Sequence, residues 1–186
     1  SPHYFDSHAE AIFRLIRLDE QKTVILKKIE PYNLVLQQCI SLHFRQGDYK
    51  QLPQHYPLLT HEYYEKAIKQ IQIQIQIQSK PQSITTLLIF CEQSDLSSVN
   101  PILKHLQTTF PHLKLQLAPP TLSDWEQLLL MSLCSHNVIA NSSYSWWGAY
   151  FNSNPEKIVC YPANWFGPKL QQNDIKDLCP TFWTTF

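Results

Sequence analysis

Ile139-Ala140-Asn141-Ser142-Ser143-Tyr144-Ser145-Trp146-Trp147-Gly148 joins an apolar strand end to a hydroxyl-rich helix start. Val138, Ile139 and Ala140 read as the end of a buried strand. Asn141, Ser142, Ser143 and Ser145 then supply N-cap candidates and hydroxyl donors before the apolar stretch from Trp146 to Phe151. A helix start leaves backbone N–H groups without intrahelical partners, and the macrodipole adds partial positive charge there. Such a junction can therefore hold a diphosphate without a lysine-rich loop. The competing reading is an ordinary capped helix whose two tryptophans are core.

A second segment has the same form. Ile40-Ser41-Leu42-His43-Phe44-Arg45-Gln46-Gly47-Asp48-Tyr49 alternates as a strand to Phe44 and then runs into polar functional groups. Gly47 is one of only three glycines, so its place at a strand end points to a positive φ or a close backbone approach. Arg45 offers a planar fork suited to phosphate oxygens, and Asp48 is placed to orient that fork or to accept from a sugar or base. The plainer alternatives are a satisfied core histidine at His43 and a structural Arg45–Asp48 ion pair.

Between these segments strands and helices alternate. The pattern predicts a helical region over 8–29, a strand over 39–44, and a helix from about Thr60. Further strands are expected over 85–90, 113–117, 137–140 and 158–161. The intervening helices run to Leu106, from Asp124 to Leu133 and over 145–152; Ser98 or Asn100 caps the first of them, with Pro101 in its opening turn. Repeated β-then-α order implies an α/β fold, a Rossmann-like parallel sheet with helices on both faces. In such sheets ligands bind beyond the carboxyl ends of the strands, which would bring residues 43–48, 91–95, 118–124 and 141–145 to one edge. The repeat Ile71 to Gln78 alternates perfectly, yet it continues a helical stretch. It is read as a low-complexity extension of a helix end rather than as a half-buried strand.

The two polar junctions also carry a family resemblance. His43-Phe44-Arg45-Gln46-Gly47-Asp48-Tyr49 resembles the H-x-R-R-G-D-Y motif of the α-1,2-fucosyltransferase family. Asp124-Trp125, Met131, Cys134, His136 and Asn141 to Ala149 are similar to its D-W-x(5)-M-x(2)-C-x-H and N-S-[ST]-[FY]-S-W-W-[GA]-A segments. Pro162 to Phe166 resembles the P-x-x-W-F that follows. Order and spacing agree as well. Three departures stand out: Gln46 replaces a second arginine, Cys91-Glu92-Gln93-Ser94-Asp95 replaces an F-S-D-D continuation, and the family's amino-terminal G-x-L-G-N-Q-M-F-Q-Y stretch is missing.

The resemblance implies a single Rossmann-like donor domain over residues 1–186, similar to the carboxyl-terminal half of a GT-B glycosyltransferase, with the amino-terminal half elsewhere. It implies fucosyl transfer from GDP-fucose to the hydroxyl of a glycan acceptor, in α-1,2 linkage on a galactoside, with inversion and without a metal or other cofactor. Arg45 and His43 are then the catalytic candidates. Asp48, Gly47, Glu92, Asp124, Asn141, Ser142, Ser143 and Ser145 are the candidates for binding substrate. A non-catalytic nucleotide-sugar or glycan-binding module derived from the family is the alternative, with Gln46 and the altered segment at Cys91 as traces of relaxation. Trp146, Trp147, Trp165 and Phe166 read as packing, His136 as bonded within the fold, and the proline-bearing stretch 50–57 as either an acceptor-side lid or a solvated connection.

Composition fits this picture. Lysines plus arginines balance aspartates plus glutamates at 15 each, so there is no global field to draw nucleic acid or an anionic membrane. At 186 residues and 44% hydrophobic content the chain can build a proper core. The five cysteines lie mostly in apolar runs without C-x-x-C spacing, which suggests buried thiols. No signal-like leader or bilayer-length apolar run is present, and a glycan on the Asn141 sequon would obstruct the proposed phosphate site. A cytoplasmic location, as in bacterial or viral relatives, is therefore expected.

Overall fold

A computed structural model describes residues 2–77 and 83–186. Its centre is a six-stranded sheet built from β1 (Cys39–His43), β2 (Thr86–Phe90), β3 (Lys114–Leu117), β4 (His136–Val138), β5 (Val159–Tyr161) and β6 (Thr184–Thr185). The order is β3-β2-β1-β4-β5-β6, and every neighbouring pair is parallel. The chain thus builds outward from β1 through β2 to β3, then returns to the other side of β1 to lay down β4. This is the strand order of a doubly wound nucleotide-binding sheet, and its reversal opens a crevice between the carboxyl ends of β1 and β4.

The helices are α1 (Ala9–Leu15), α2 (Leu18–Ile29), α3 (His61–Ile77), α4 (Leu96–Thr109), α5 (Asp124–Met131) and α6 (Ser143–Tyr150). Strand periodicity sorts them between the two faces. Ile40, Leu42, Leu87 and Ile89 pack under Tyr64, Ile68 and Ile71 of α3 and Val99 and Leu106 of α4. Cys39, Leu88 and Phe90 meet Ile25 of α2 and Leu129 and Leu130 of α5 on the opposite face. A third cluster joins Ile139 and Val159 to Trp146, Trp165 and Trp183. Helices therefore cover both faces, as the alternation predicts. Among the described residues, no helix is long and apolar enough to cross a membrane.

Several boundaries differ from the sequence reading. The first helical region breaks at Arg17, which adopts a left-handed conformation with φ 54 between α1 and α2. Helix α4 starts at Leu96, so Pro101 lies inside it rather than in its first turn. Pro101 and Ser97, one turn before it, are both exposed, so water can satisfy the carbonyl that proline cannot bond. Strand β6 was not foreseen, since Thr184-Thr185 is too short to leave a period. The isoleucine-glutamine repeat is helical through Ile77: Ile71 and Ile75 are buried at 0% and 6% exposure, whereas Ile73 and Ile77 stand out at 56% and 81%. Gln78, the last residue of that repeat, lies outside the described residues.

Where strands stop, their last carbonyls lose ladder partners, and helix α3 supplies replacements. Tyr64 donates to the His43 carbonyl at 2.9 Å. Tyr63 donates to the carbonyls of Ile139 at 2.6 Å and Cys160 at 3.1 Å. Beneath the sheet Asn137 donates to Ser41 Oγ and to the Met131 carbonyl, and Asn152 donates to Asn137 Oδ1. These bonds tie β1, β4 and the end of α5 into one frame. All five cysteines are free thiols, with four buried and Cys91 partly so.

Candidate functional site

A cleft of about 1110 Å³ lies along the carboxyl edge of the sheet. It is lined from β1 by His43, Arg45, Asp48 and Tyr49, from β2 by residues 91–94, from β3 by Ala118, Pro120 and Asp124, and from the start of α6 by Ser142, Ser143 and Tyr144. Four segments distant in sequence therefore meet at the strand reversal.

Arg45 is the only lysine or arginine among the described residues that line this cleft. Its guanidinium donates to Glu92 Oε1 at 2.8 Å and to Asp48 Oδ1 at 2.5 Å, and it lies 5.2 Å above the ring of Tyr49. The side chain keeps 30% of its surface open. Two carboxylates on one fork hold its direction while leaving part of it available. Gly47 explains how the chain turns under this cluster. Its φ is +21, and a Cβ there would sit 3.2 Å from Glu92 Oε1. Its N–H is spent on Asp95 Oδ2 at 2.7 Å, so Gly47 shapes the site from behind and does not line it. Burial works against ionisation of Asp95. Hydrogen bonds from Lys50 and Gly47, with the Lys50 and Arg45 charges, outweigh it and hold the carboxyl below its usual range. Gln46 is buried and turned toward Ser98, whose hydroxyl donates to its Oε1. The position that resembles a second arginine thus faces away from the cleft.

His43 lines the cleft but is 7% exposed, with its ring 5.4 Å from that of Tyr144. Burial, and then the neighbouring Arg45 charge, lower its pKa to about 3, so it is a neutral imidazole. Its Nδ1 is buried without a hydrogen-bond partner. His136 bonds within the fold, its Nδ1 accepting from Ile158 N–H at 3.1 Å. Asp124 and Glu92 are exposed at the rim, and the Asp124 carbonyl accepts from Tyr144.

The serines and Asn141 divide. Ser142 is the N-cap residue of α6, in extended conformation, yet its hydroxyl caps no amide. The first-turn N–H groups of α6 are therefore left to the cleft, beside the exposed Ser143. Ser145 and Asn141 do not line the cleft. Ser145 is fully buried, its Oγ accepting from Ala140 N–H and donating to the Ser142 carbonyl. Asn141 is 1% exposed and donates from Nδ2 to the carbonyls of Pro57 and Trp165. Both are drawn inward because a chain reversing between a strand and a helix has carbonyls and amides to satisfy. Trp146 and Trp165 are buried core, as read from the sequence.

The stretch 50–57 is neither free nor merely solvated. Gly167 N–H donates to the His55 carbonyl at 2.7 Å and Lys169 N–H to that of Gln54 at 2.9 Å. Tyr56 stacks on Tyr49 with ring centroids 4.5 Å apart and brings an aromatic wall to the cleft. Among the described residues, no three His, Cys, Asp or Glu side chains are arranged to share a metal ion.

Comparison with known proteins places this geometry. Residues 28–178 match the profile of glycosyl transferase family 11. The chain belongs to that family. It is 31% identical over 171 residues to the O-antigen biosynthesis glycosyltransferase WbnK of Escherichia coli, an alignment covering 87% of this chain and 51% of the relative. It is 39% identical over 54 residues to an alpha-1,2-colitosyltransferase of Escherichia coli, covering 29% of this chain and 18% of that protein. The chain thus spans about half the length of the first of these relatives. No solved structure matches it significantly.

In this family 11 chain the cleft includes a residue that sequence reasoning passed over: Gln127, within α5, at a placement that leaves no motif. Gln93 and Ser94 line it as part of the 91–95 segment expected at this edge. Tyr144, in the 141–145 segment, forms one wall, and burial raises its hydroxyl pKa well above the usual value. Asp95, in the segment that replaces F-S-D-D, does not line the cleft: it is 2% exposed and bonded beneath the site.

Proposed function

We propose that this chain is the donor-binding part of a family 11 fucosyltransferase that moves fucose from GDP-fucose to a glycan hydroxyl, α-1,2-linked on a galactoside, with inversion. The observation that carries this reading is the uncapped amino end of α6 facing the same cleft as Arg45. As the sugar leaves, the anomeric carbon gains oxocarbenium character and negative charge grows on the departing diphosphate. Arg45, the first-turn N–H groups of α6 and the Ser143 hydroxyl are donors of the kind that charge needs. His43, neutral and with an unpartnered Nδ1, is a hydrogen-bonding group for the ribose or guanine, and Asp124 at the rim is a second. Asp48 and Glu92 orient Arg45. The amino-terminal half of the relatives' length would bring the acceptor and any general base.

The geometry also supports a second reading. Arg45 is outnumbered by the Asp48, Glu92 and Asp124 carboxylates that also line the cleft, and Gln46 is turned away, so the cleft has no net positive charge to offer a diphosphate. A glycan-binding module without turnover would tolerate that balance. The name of one relative specifies colitose, so a different donor sugar on the same frame is a third outcome.

Calorimetric titration with GDP-fucose, GDP-mannose, GDP and UDP-galactose separates these readings. The donor reading expects selective guanine-nucleotide binding that weakens by about 2 kcal/mol, roughly 30-fold, in Arg45→Ala. Equal binding of UDP-galactose, or an unchanged Arg45→Ala, would overturn it. Glycan binding without nucleotide binding would favour the module.

A further inference from the structure

Asp95 occupies the N-cap position of α4, yet its side chain makes no cap bond to that helix. A carboxylate there ordinarily accepts from its own first-turn amides. This one is 2% exposed and reaches instead to Gly47 N–H at 2.7 Å and Lys50 Nζ at 2.7 Å, across from β2 to the turn after β1. That turn, Gly47–Gln51, carries both Asp48 and Tyr49. Its first residue also sits so close to Glu92 that a Cβ would fall 3.2 Å from the carboxylate. Of the three neighbours of the Arg45 guanidinium, Asp48 and Tyr49 therefore follow directly from where Gly47 is held, and Glu92 lies against it.

We propose that Asp95 is a positioning residue for Arg45, acting through the Gly47 amide and the turn that follows. An isolated buried ion pair with Lys50 would not require the amide contact, and Lys50 keeps 37% of its side chain exposed. The link from the turn to α4 is reinforced by the Ser98 hydroxyl, which donates to Gln46 Oε1. The consequence for nucleotide binding rests on the donor-site reading above, but the placement of Arg45 is measurable without any ligand.

The chain holds only three arginines, and Arg14 and Arg17 expose 84% and 73% of their side chains. Nitrogen-15 NMR of the Nε–Hε groups therefore reports Arg45 separately. In Asp95→Ala the Arg45 signal should move to the solvent-exchanging behaviour of Arg14 and Arg17. Asp95→Asn, whose side-chain oxygen still accepts from Gly47, should keep the native signal. Asp95→Ser, which retains a capping group but withdraws its reach, serves if the alanine variant does not fold. An Arg45 signal unchanged in a folded alanine or serine variant overturns the proposal.

The same variants are then titrated with GDP. Asp95→Ala should weaken binding about tenfold or more, Asp95→Asn by less than about threefold, and Asp95→Ala in an Arg45→Ala background by less than about twofold. Equal weakening with and without Arg45 also overturns the proposal. Absence of GDP binding in the native chain would count against the donor reading alone, because the NMR result still decides the role of Asp95.

Discussion

Arg45 and His43 are two residues apart: one strand end delivers a buried neutral imidazole and then a partly open guanidinium. Alternation along β1 places His43 on the α5 and α6 side of the sheet, against Tyr144, while Arg45, past the strand end, reaches Asp48 and Glu92. Residue type and motif were legible in the sequence for both. Their electrostatic states were not, because burial of His43 and the pairing of Arg45 with Glu92, 47 positions away, depend on tertiary contacts. A pH prediction follows from His43 and His136, whose pKa values are lowered by burial to about 3 and about 4. The unfolded chain then takes up more protons than the folded one as pH falls below about 6.5. Stability contributed by these residues is whole above that value and declines toward pH 4 and below. Urea unfolding at pH 7 and pH 5 should show a loss on the order of 4 kcal/mol, about 2 from each histidine, in a window above the ordinary carboxylate range. His136→Asn should flatten that dependence while lowering stability at pH 7.

Helix α6 is the element on which the site turns. Its amino end is left open to the cleft, whereas its carboxyl end is closely bonded. Lys157 Nζ donates to the carbonyls of Ala149 at 2.8 Å and Asn152 at 2.6 Å, and Lys22 Nζ donates to that of Phe151 at 2.6 Å. Two cations thus stabilise the negative end of the dipole whose positive end faces the proposed ligand. Gly148 lets α6 approach α5, since a Cβ there would meet Met131 Cβ at 3.0 Å and its Sδ at 3.2 Å. Gly148→Ala should destabilise by about 1–3 kcal/mol in urea titration, the range for overpacking a well-packed site, and Met131→Ala in the same chain should recover part of it. Helix α5 begins with a reciprocal capping box between Ser123 and Glu126. The sequence reading started that helix at Asp124 and overlooked this signal, although the serine and glutamate spacing is local. Ser123→Ala should cost about 1 kcal/mol.

Across the whole molecule, the isoleucine-glutamine repeat distinguishes local pattern from global placement. As a strand it would put all its isoleucines on one face; as part of α3 it buries Ile71 and Ile75 and exposes Ile73 and Ile77. Ile71→Ala should therefore cost about 2–5 kcal/mol, while Ile77→Lys should change stability by less than about 0.5 kcal/mol, both read from chemical unfolding. The parallel order β3-β2-β1-β4-β5-β6 is likewise a global property. It converts four polar loops into one cleft, because every strand carries its carboxyl end to the same edge.

The sequence by itself determined the α/β alternation, the strand and helix at each motif, and membership of glycosyl transferase family 11. These depend on periodicity, turn chemistry and residue order, all of which act over a few residues. Only the tertiary structure decided which motif residues face the cleft. Asn141 and Ser145 stand in the same motif as Ser142 and Ser143, yet they turn inward to satisfy backbone groups of Pro57, Trp165, Ala140 and Ser142. Asp95 likewise leaves its own helix to hold a turn that begins 48 residues earlier. Leaving a buried polar group unpaired costs free energy, and the nearest partner in space is set by how the sheet and its helices pack.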